Sequence, residues 1–182
     1  MSEAGPAPDD DTPIGAPLLD VQALASALPE GGLAAGLPEA LRGARREIQL
    51  HYQAGLAVGE LLHQTSDLTD QVLTGLWGHV LGPHAAAAAL VAVGGYGRRE
   101  LFPSSDIDVM VVIEPECQER CARDVERYLT LLWDVGLEVG HSVRTVEDCA
   151  REARADLTEV TNLMEARPLA GPPALFEGLR EA

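Results

Sequence analysis

The chain has 182 residues, 46% of them hydrophobic and 4% aromatic, with 29 acidic and 13 basic residues for a formal net charge of −16. The length and apolar fraction suit one ordinary domain with a core of Leu, Val and Ala, and they exclude an intrinsically disordered chain. The acidic balance argues against sequence-independent nucleic-acid binding, which depends on clustered Lys and Arg.

Residues 1–17, "MSEAGPAPDDDTPIGAP", are rich in Pro, Gly and Asp without apolar periodicity, and are expected to form a disordered tail. "LLDVQALASAL" reads as a short helix before the breaker stretch "PEGGLAAGLP". From Glu39 a helical stripe begins: Leu41, Ala44, Ile48, Tyr52, Gly55, Gly59 and Leu62 recur three or four apart. Arg42, Arg45 and Arg46 fall off that stripe, on a solvated face or one that meets a phosphate or partner. Thr65 or Ser66 is placed to cap a second helix through "DLTDQVLTGLWGHVL", which Gly82 and Pro83 end.

The apolar run at the end of "AAAAALVAV" predicts a buried strand entering Gly94, and "DIDVMVVIEP" predicts a second, buried on both faces. Cys117, Cys121, Val125, Tyr128, Leu129, Leu132 and Trp133 make one face of a helix ending near Gly136. The three cysteines, the third being Cys149, lack zinc-type spacing and are read as reduced, structural thiols. "LEVGHSVRT" is a third strand with Leu137, Val139, His141 and Val143 on one side and Glu138, Gly140 and Ser142 on the other; His141 is expected to be buried. Thr145 caps the first of the C-terminal helices, which are broken around Pro168 and Gly171 to Pro173. No apolar run approaches the ~20 residues of a membrane span, and the start lacks a secretory signal pattern, so the expectation is a cytoplasmic protein with no membrane partner.

The chemistry concentrates in residues 94–108, "GGYGRRELFPSSDID". Gly94 and Gly95 come directly after a buried strand, so the backbone can turn sharply or let a ligand approach it closely. A helix opening there would aim free N–H groups at a phosphate. On its own the turn reads better as a packing device. Asp106 and Asp108 stand two apart at a strand start and project from one face, where they repel each other unless a cation neutralises them. Mg²⁺, which favours one or two carboxylates together with substrate phosphate oxygens, is the expected ion. Alone, the pair also reads as a solvated strand end. Coupled to the glycine turn, the catalytic reading is the better one.

A strand into Gly-Gly, a short helix, then Asp-x-Asp on the next strand resembles the DNA polymerase β nucleotidyltransferase superfamily. "VAVGGYGRRELFPSSDIDVMVV", "LLWDVGLEVGHSVRT" and "ADLTEVTNLMEARPLAGPPALFEGL", in that order, resemble more closely the catalytic domain of the uridylyltransferase/uridylyl-removing enzymes. The likeness covers about residues 40–182. Where the family pattern has Gly-Arg-Gly-Glu, this chain has Gly97-Arg98-Arg99-Glu100.

The resemblance implies an α/β fold: a small mixed sheet of three to five strands flanked by helices. It implies transfer of UMP from UTP to a tyrosine hydroxyl of the PII signalling protein, with release of pyrophosphate. Gly94 and Gly95 would contact the triphosphate, and Asp106 and Asp108 would carry Mg²⁺. Arg98 is either a base or phosphate contact or a surface residue; Ser104 and Ser105 bond phosphate or only form the turn. Glu138 is the candidate third carboxylate, the alternative being an edge residue, and Tyr96 leans towards packing. Ser142 and Arg144 are weaker candidates for the cleft.

The layout expected is a tail over 1–17, a helical segment over 18–83, the nucleotidyltransferase core over 84–150, and the start of a helical region over 151–182. The hydrolase and ligand-sensing domains of the family do not fit in this length, so a fragment or reduced homologue is expected. Two competing readings remain: a related nucleotidyltransferase with another acceptor, and a nucleotide-binding regulatory module.

Overall fold

A computed structural model describes residues 18–27 and 32–181. The tail expected over 1–17 lies outside the described residues. The core is a four-stranded mixed sheet in the order β3-β2-β1-β4, built from β1 (Ala88–Ala92), β2 (Ile107–Ile113), β3 (Val139–Arg144) and β4 (Arg167–Ala170). β1 pairs antiparallel with both β2 and β4, and β2 pairs parallel with β3. The expected fold class is the one found.

Helices cover both faces. On one lie α1 (Val21–Ala27), α2 (Leu33–Gln53), α3 (Val58–Leu81) and α5 (Gln118–Asp134); on the other lie α6 (Val146–Ala153), α7 (Leu157–Met164) and α8 (Pro173–Glu181). The short α4 (Gly94–Gly97) sits between β1 and β2. Alternate residues of the two central strands serve the two layers. Leu90, Ala92, Val109 and Val111 join the core beneath α3 and α5, whereas Val91, Met110 and Val112 join a smaller core with Cys149 of α6 and Leu179 of α8. This two-sided burial is what the unbroken apolar run of β2 predicts. On the α3 side, Trp77 and Tyr128 meet edge to face with centroids 5.1 Å apart, and the Tyr128 hydroxyl donates to the Leu73 carbonyl.

Helix boundaries depart from the expectation in instructive ways. α2 starts at Leu33, not Glu39, and runs through Pro38, because Leu33, Leu37 and Leu41 continue the buried stripe and the proline forfeits one backbone bond near the helix start. The stripe does not continue past Ile48. Tyr52 is exposed, and the chain turns at Gly55 in a positive-φ conformation before α3 begins at Val58. Thr65 and Ser66 are therefore mid-helix, and instead of capping they donate back to the Leu61 and Leu62 carbonyls.

At the β3 edge of the sheet, Trp133 is half-exposed rather than buried, and His141 is exposed too. β3 is an edge strand that the end of α5 covers incompletely, and the two rings pack edge to face at 5.6 Å. All three cysteines are buried free thiols. Thr145 caps α6 as expected, in a reciprocal capping box with Asp148.

The sheet also reaches past residue 150. Pro168, read as a helix breaker, lies in β4, where its missing N–H is tolerated because β4 is the outer strand and a register shift sits opposite, between Leu90 and Val91.

Candidate functional site

The site forms where β1 and β2 end together. β1 leads into Gly94, which takes φ +58°, and the Val93 N–H donates to the Asp108 carbonyl, drawing the turn against β2. The Gly97, Arg98 and Glu100 amides close the turn on the Val93, Gly94 and Gly95 carbonyls. As at any helix start, the amides before them have no partner within the turn.

Asp108 is the single exposed residue of β2, between Ile107 and Val109, each all but inaccessible. Its carboxylate lies between two glycines. A Cβ added at Gly140 on β3 would stand 2.6 Å from Asp108 Oδ1, and one added at Gly94 would stand 3.7 Å from Oδ2. Gly140 is Asp108's register partner, so a side chain there would project into the carboxylate. Desolvation, with the nearby Asp106 charge second, raises the Asp108 pKa above the ordinary carboxylate value. Neither the Asp106 nor the Asp108 carboxylate has an ion pair or hydrogen bond among the described residues. An exposed, uncompensated carboxylate pair beside a glycine turn has the donor chemistry of a Mg²⁺ site.

Of the other expected residues, Glu138 lies two positions before Gly140, and its carbonyl accepts from the Ile107 N–H. Among the described residues no group of three His, Cys, Asp or Glu side chains is gathered closely enough to hold a metal, so Glu138 does not join the pair as a third ligand here. With Ser104 and Ser105 it borders a neighbouring cleft of about 590 Å³. Arg98 bonds Glu100 at 2.8 Å and Glu165 at 2.5 Å. Arg144, a weaker candidate, is held by Glu159 and Glu152.

Sequence reasoning missed what supports the turn. Asp70, near the middle of α3, accepts from the Tyr96 hydroxyl at 2.5 Å and from both terminal nitrogens of Arg167 at 2.7 and 3.0 Å. Arg167, the first residue of β4, also donates to the Tyr96 and Gly97 carbonyls and lies over the Tyr96 ring. Burial, then the adjacent Asp70, pushes the Tyr96 pKa well above its usual value, so Tyr96 is a neutral donor. Its expected packing role is what the structure shows. Gly97 has no room for a side chain: an added Cβ would stand 2.2 Å from the Glu165 carbonyl oxygen. Further along α3, Ser66 receives the Leu101 N–H and Asp67 pairs with Arg99. The only signal in the sequence was acidic residues on an otherwise apolar helix, which reads equally as a solvated face.

Arg99, where this chain departs from the family pattern, takes φ +61°. That is the left-handed region, which costs a side-chain-bearing residue about 1–2 kcal/mol and glycine almost nothing. The ion pair with Asp67, half-exposed on both sides, returns only about 0–1 kcal/mol.

The chain matches the family described as putative nucleotidyltransferase DUF294 over residues 43–154, and it belongs to that family. It is 47% identical over 145 residues to the bifunctional uridylyltransferase/uridylyl-removing enzyme of Stutzerimonas stutzeri (strain A1501), covering 80% of this chain and 16% of that protein. The enzymes of the same description from Pseudomonas fluorescens (strain SBW25) and Pseudomonas putida (strain KT2440) are 45% and 46% identical over 147 residues, 81% of this chain and 16% of each of theirs. The chain thus spans about 16% of the length of these curated relatives. It is a nucleotidyltransferase domain homologous to uridylyltransferases, as its motifs implied. Among the described residues no helix is long and apolar enough to cross a membrane.

Two outcomes are expected from stability measurements. Arg99→Gly, which relieves the left-handed strain, will be more stable than Arg99→Ala, which keeps the strain and loses the ion pair, by about 1 kcal/mol in denaturant unfolding. Asp108 binds its proton more tightly folded than unfolded, so it is harmless at low pH and erodes stability as pH rises through the carboxylate range. Asp108→Asn will therefore melt higher than the parent at about pH 7, with the gap closing towards about pH 3.

Proposed function

We propose that this domain transfers UMP from UTP to a tyrosine hydroxyl of the PII signalling protein, releasing pyrophosphate. The observation that carries the reading is Asp108: an uncompensated carboxylate, raised in pKa, held between Gly94 and Gly140 on an otherwise buried strand. A protein gains nothing in stability from that arrangement. Its value lies in binding a cation.

Asp106 and Asp108 would hold Mg²⁺, which when bound neutralises the phosphate oxygens and the leaving pyrophosphate. The free amides of Gly94 and Gly95 bind the triphosphate against the end of β1, where no Cβ obstructs the approach. The Asp70–Arg167–Tyr96 network keeps those amides oriented before the nucleotide arrives, so their orientation costs nothing during reaction. Arg98, tethered to Glu100 and Glu165 at the rim of the turn, and Ser105, just before Asp106, are the side chains in reach of phosphate as it enters. Glu138 takes the part of third carboxylate towards the attacking hydroxyl.

The acceptor assignment rests on the similarity to enzymes described as uridylyltransferases. In a transfer assay with labelled UTP, Mg²⁺ and PII, the parent domain will label PII. Asp106→Asn and Asp108→Asn will each lower the rate by at least about a hundredfold with the fold retained. Surviving activity in both variants would remove the metal assignment. Label on a different acceptor would identify a related nucleotidyltransferase, and UTP binding without transfer a regulatory module.

A further inference from the structure

Beside the carboxylate pair lies a cleft whose lining includes Ser105 but neither Gly94 nor Gly95 of the glycine turn. It lies between α2, the start of α3 and the 102–105 loop. Its floor includes Ile48 and Ile107, both buried in the α2–α3 core. Gly94 approaches the Asp108 carboxylate, which projects from the opposite face of the strand. The cleft reaches the strand ends, where Ser105 precedes Asp106 in the chain and the Glu138 carbonyl accepts from the Ile107 N–H.

The lining has a definite character. Tyr52 and Phe102 stand at the rim, 44% and 56% exposed, two aromatic rings with little to cover them. Arg45 also lines the cleft and has no ion-pair partner among the described residues, although in this acidic chain six of the other arginines have one. Burial lowers its pKa, the mark of a guanidinium partly stripped of water. A volume of about 590 Å³ is within the ordinary range for a ligand pocket, about 300–1,000 Å³. Aromatic rims, an unpaired cation and an apolar floor suit an aromatic side chain on a short polypeptide segment that carries an acidic group or free carbonyls.

We propose that this cleft is the acceptor site, taking the tyrosine-bearing segment of the protein substrate, with Phe102 and Tyr52 against the tyrosine ring and Arg45 on the flanking backbone or acidic side chain. The assignment rests on the proposed transferase activity. In-line displacement brings the nucleophile in opposite the leaving pyrophosphate, so the acceptor needs an approach separate from the one the triphosphate occupies. The cleft is such an approach, and Glu138 is part of its lining. The tyrosine O–H proton passes to the Glu138 carboxylate and the phenolic oxygen bonds to the α-phosphorus of UTP. The bond from that phosphorus to the bridging oxygen breaks, and pyrophosphate leaves with the electron pair.

The test compares the parent with Phe102→Ala and Arg45→Ala, neither of which belongs to the buried core. Three quantities are measured: the Kd for Mg²⁺–UTP by direct titration without acceptor, the Kd for PII by direct titration, and KM and kcat in the transfer assay. The expected result is a rise of about tenfold or more in PII Kd and KM, with kcat and the UTP Kd within about threefold of the parent. A matching loss of UTP affinity would make the cleft a nucleoside pocket and overturn the proposal; so would unchanged PII Kd and KM. If the parent binds PII but transfers nothing, the transferase reading fails, and a loss of PII binding in the variants still identifies the cleft as the docking site. A parent that neither binds nor labels PII overturns both.

Discussion

The site depends on one partly buried ion pair. Arg167 opens the outermost strand of the sheet, Asp70 sits on a helix of the opposite layer, and the turn between β1 and β2 is clamped where they meet. Removing either partner would leave a charge stranded against Tyr96 and the backbone of the turn, a far greater cost than the pair's net contribution to stability. Its structural effect is specificity. Tyr96 and the Gly97 carbonyl are held in one arrangement, and Gly94 is held in a left-handed conformation against Asp108. With those atoms fixed, Gly94 keeps its close approach to the Asp108 carboxylate.

The same clamp explains why the sheet extends beyond the segment that carries the motifs. β4 supplies no residue of the glycine–aspartate signature, yet it supplies Arg167, and just before it Glu165, which approaches Gly97 and pairs with Arg98. The C-terminal part of the chain is therefore a brace for the turn. α3 braces it from the other side through Ser66, Asp67 and Asp70, one face of the helix in contact with consecutive parts of the loop. The turn is thus tied to both α3 and β4, the kind of support that preorganised charge stabilisation depends on.

Much of this was legible from local pattern. The buried runs of β1 and β2, the amphipathic stripe of α5, the Thr145 cap and the Gly-Gly turn with its two aspartates each come from spacing within a few residues, and the fold class and family come from their order. What was not legible depends on partners far apart in the chain. Asp70 and Arg167 are 97 positions apart, and neither stands out where it occurs. Pro168 read as a breaker because its position on the outer strand, where the missing N–H is harmless, is a property of the sheet and not of its neighbours. His141 and Trp133 each fall on the apolar side of their element, but β3 lies at the edge, so they pack on each other and stay exposed. Arg99 shows the reverse case: its departure from the family pattern was visible in the sequence, and its meaning, a side chain in a glycine conformation, required the backbone angle.

The central claim is that Asp106 and Asp108 carry an uncompensated charge in order to bind a divalent cation together with a nucleotide. Titrating Mn²⁺ as a paramagnetic stand-in for Mg²⁺, with and without UTP, tests it most directly. The parent will bind Mn²⁺, UTP will tighten that binding, and the Asp106→Asn, Asp108→Asn double variant will weaken it by at least about tenfold at unchanged fold. Equal Mn²⁺ binding by parent and double variant in the presence of UTP would contradict it.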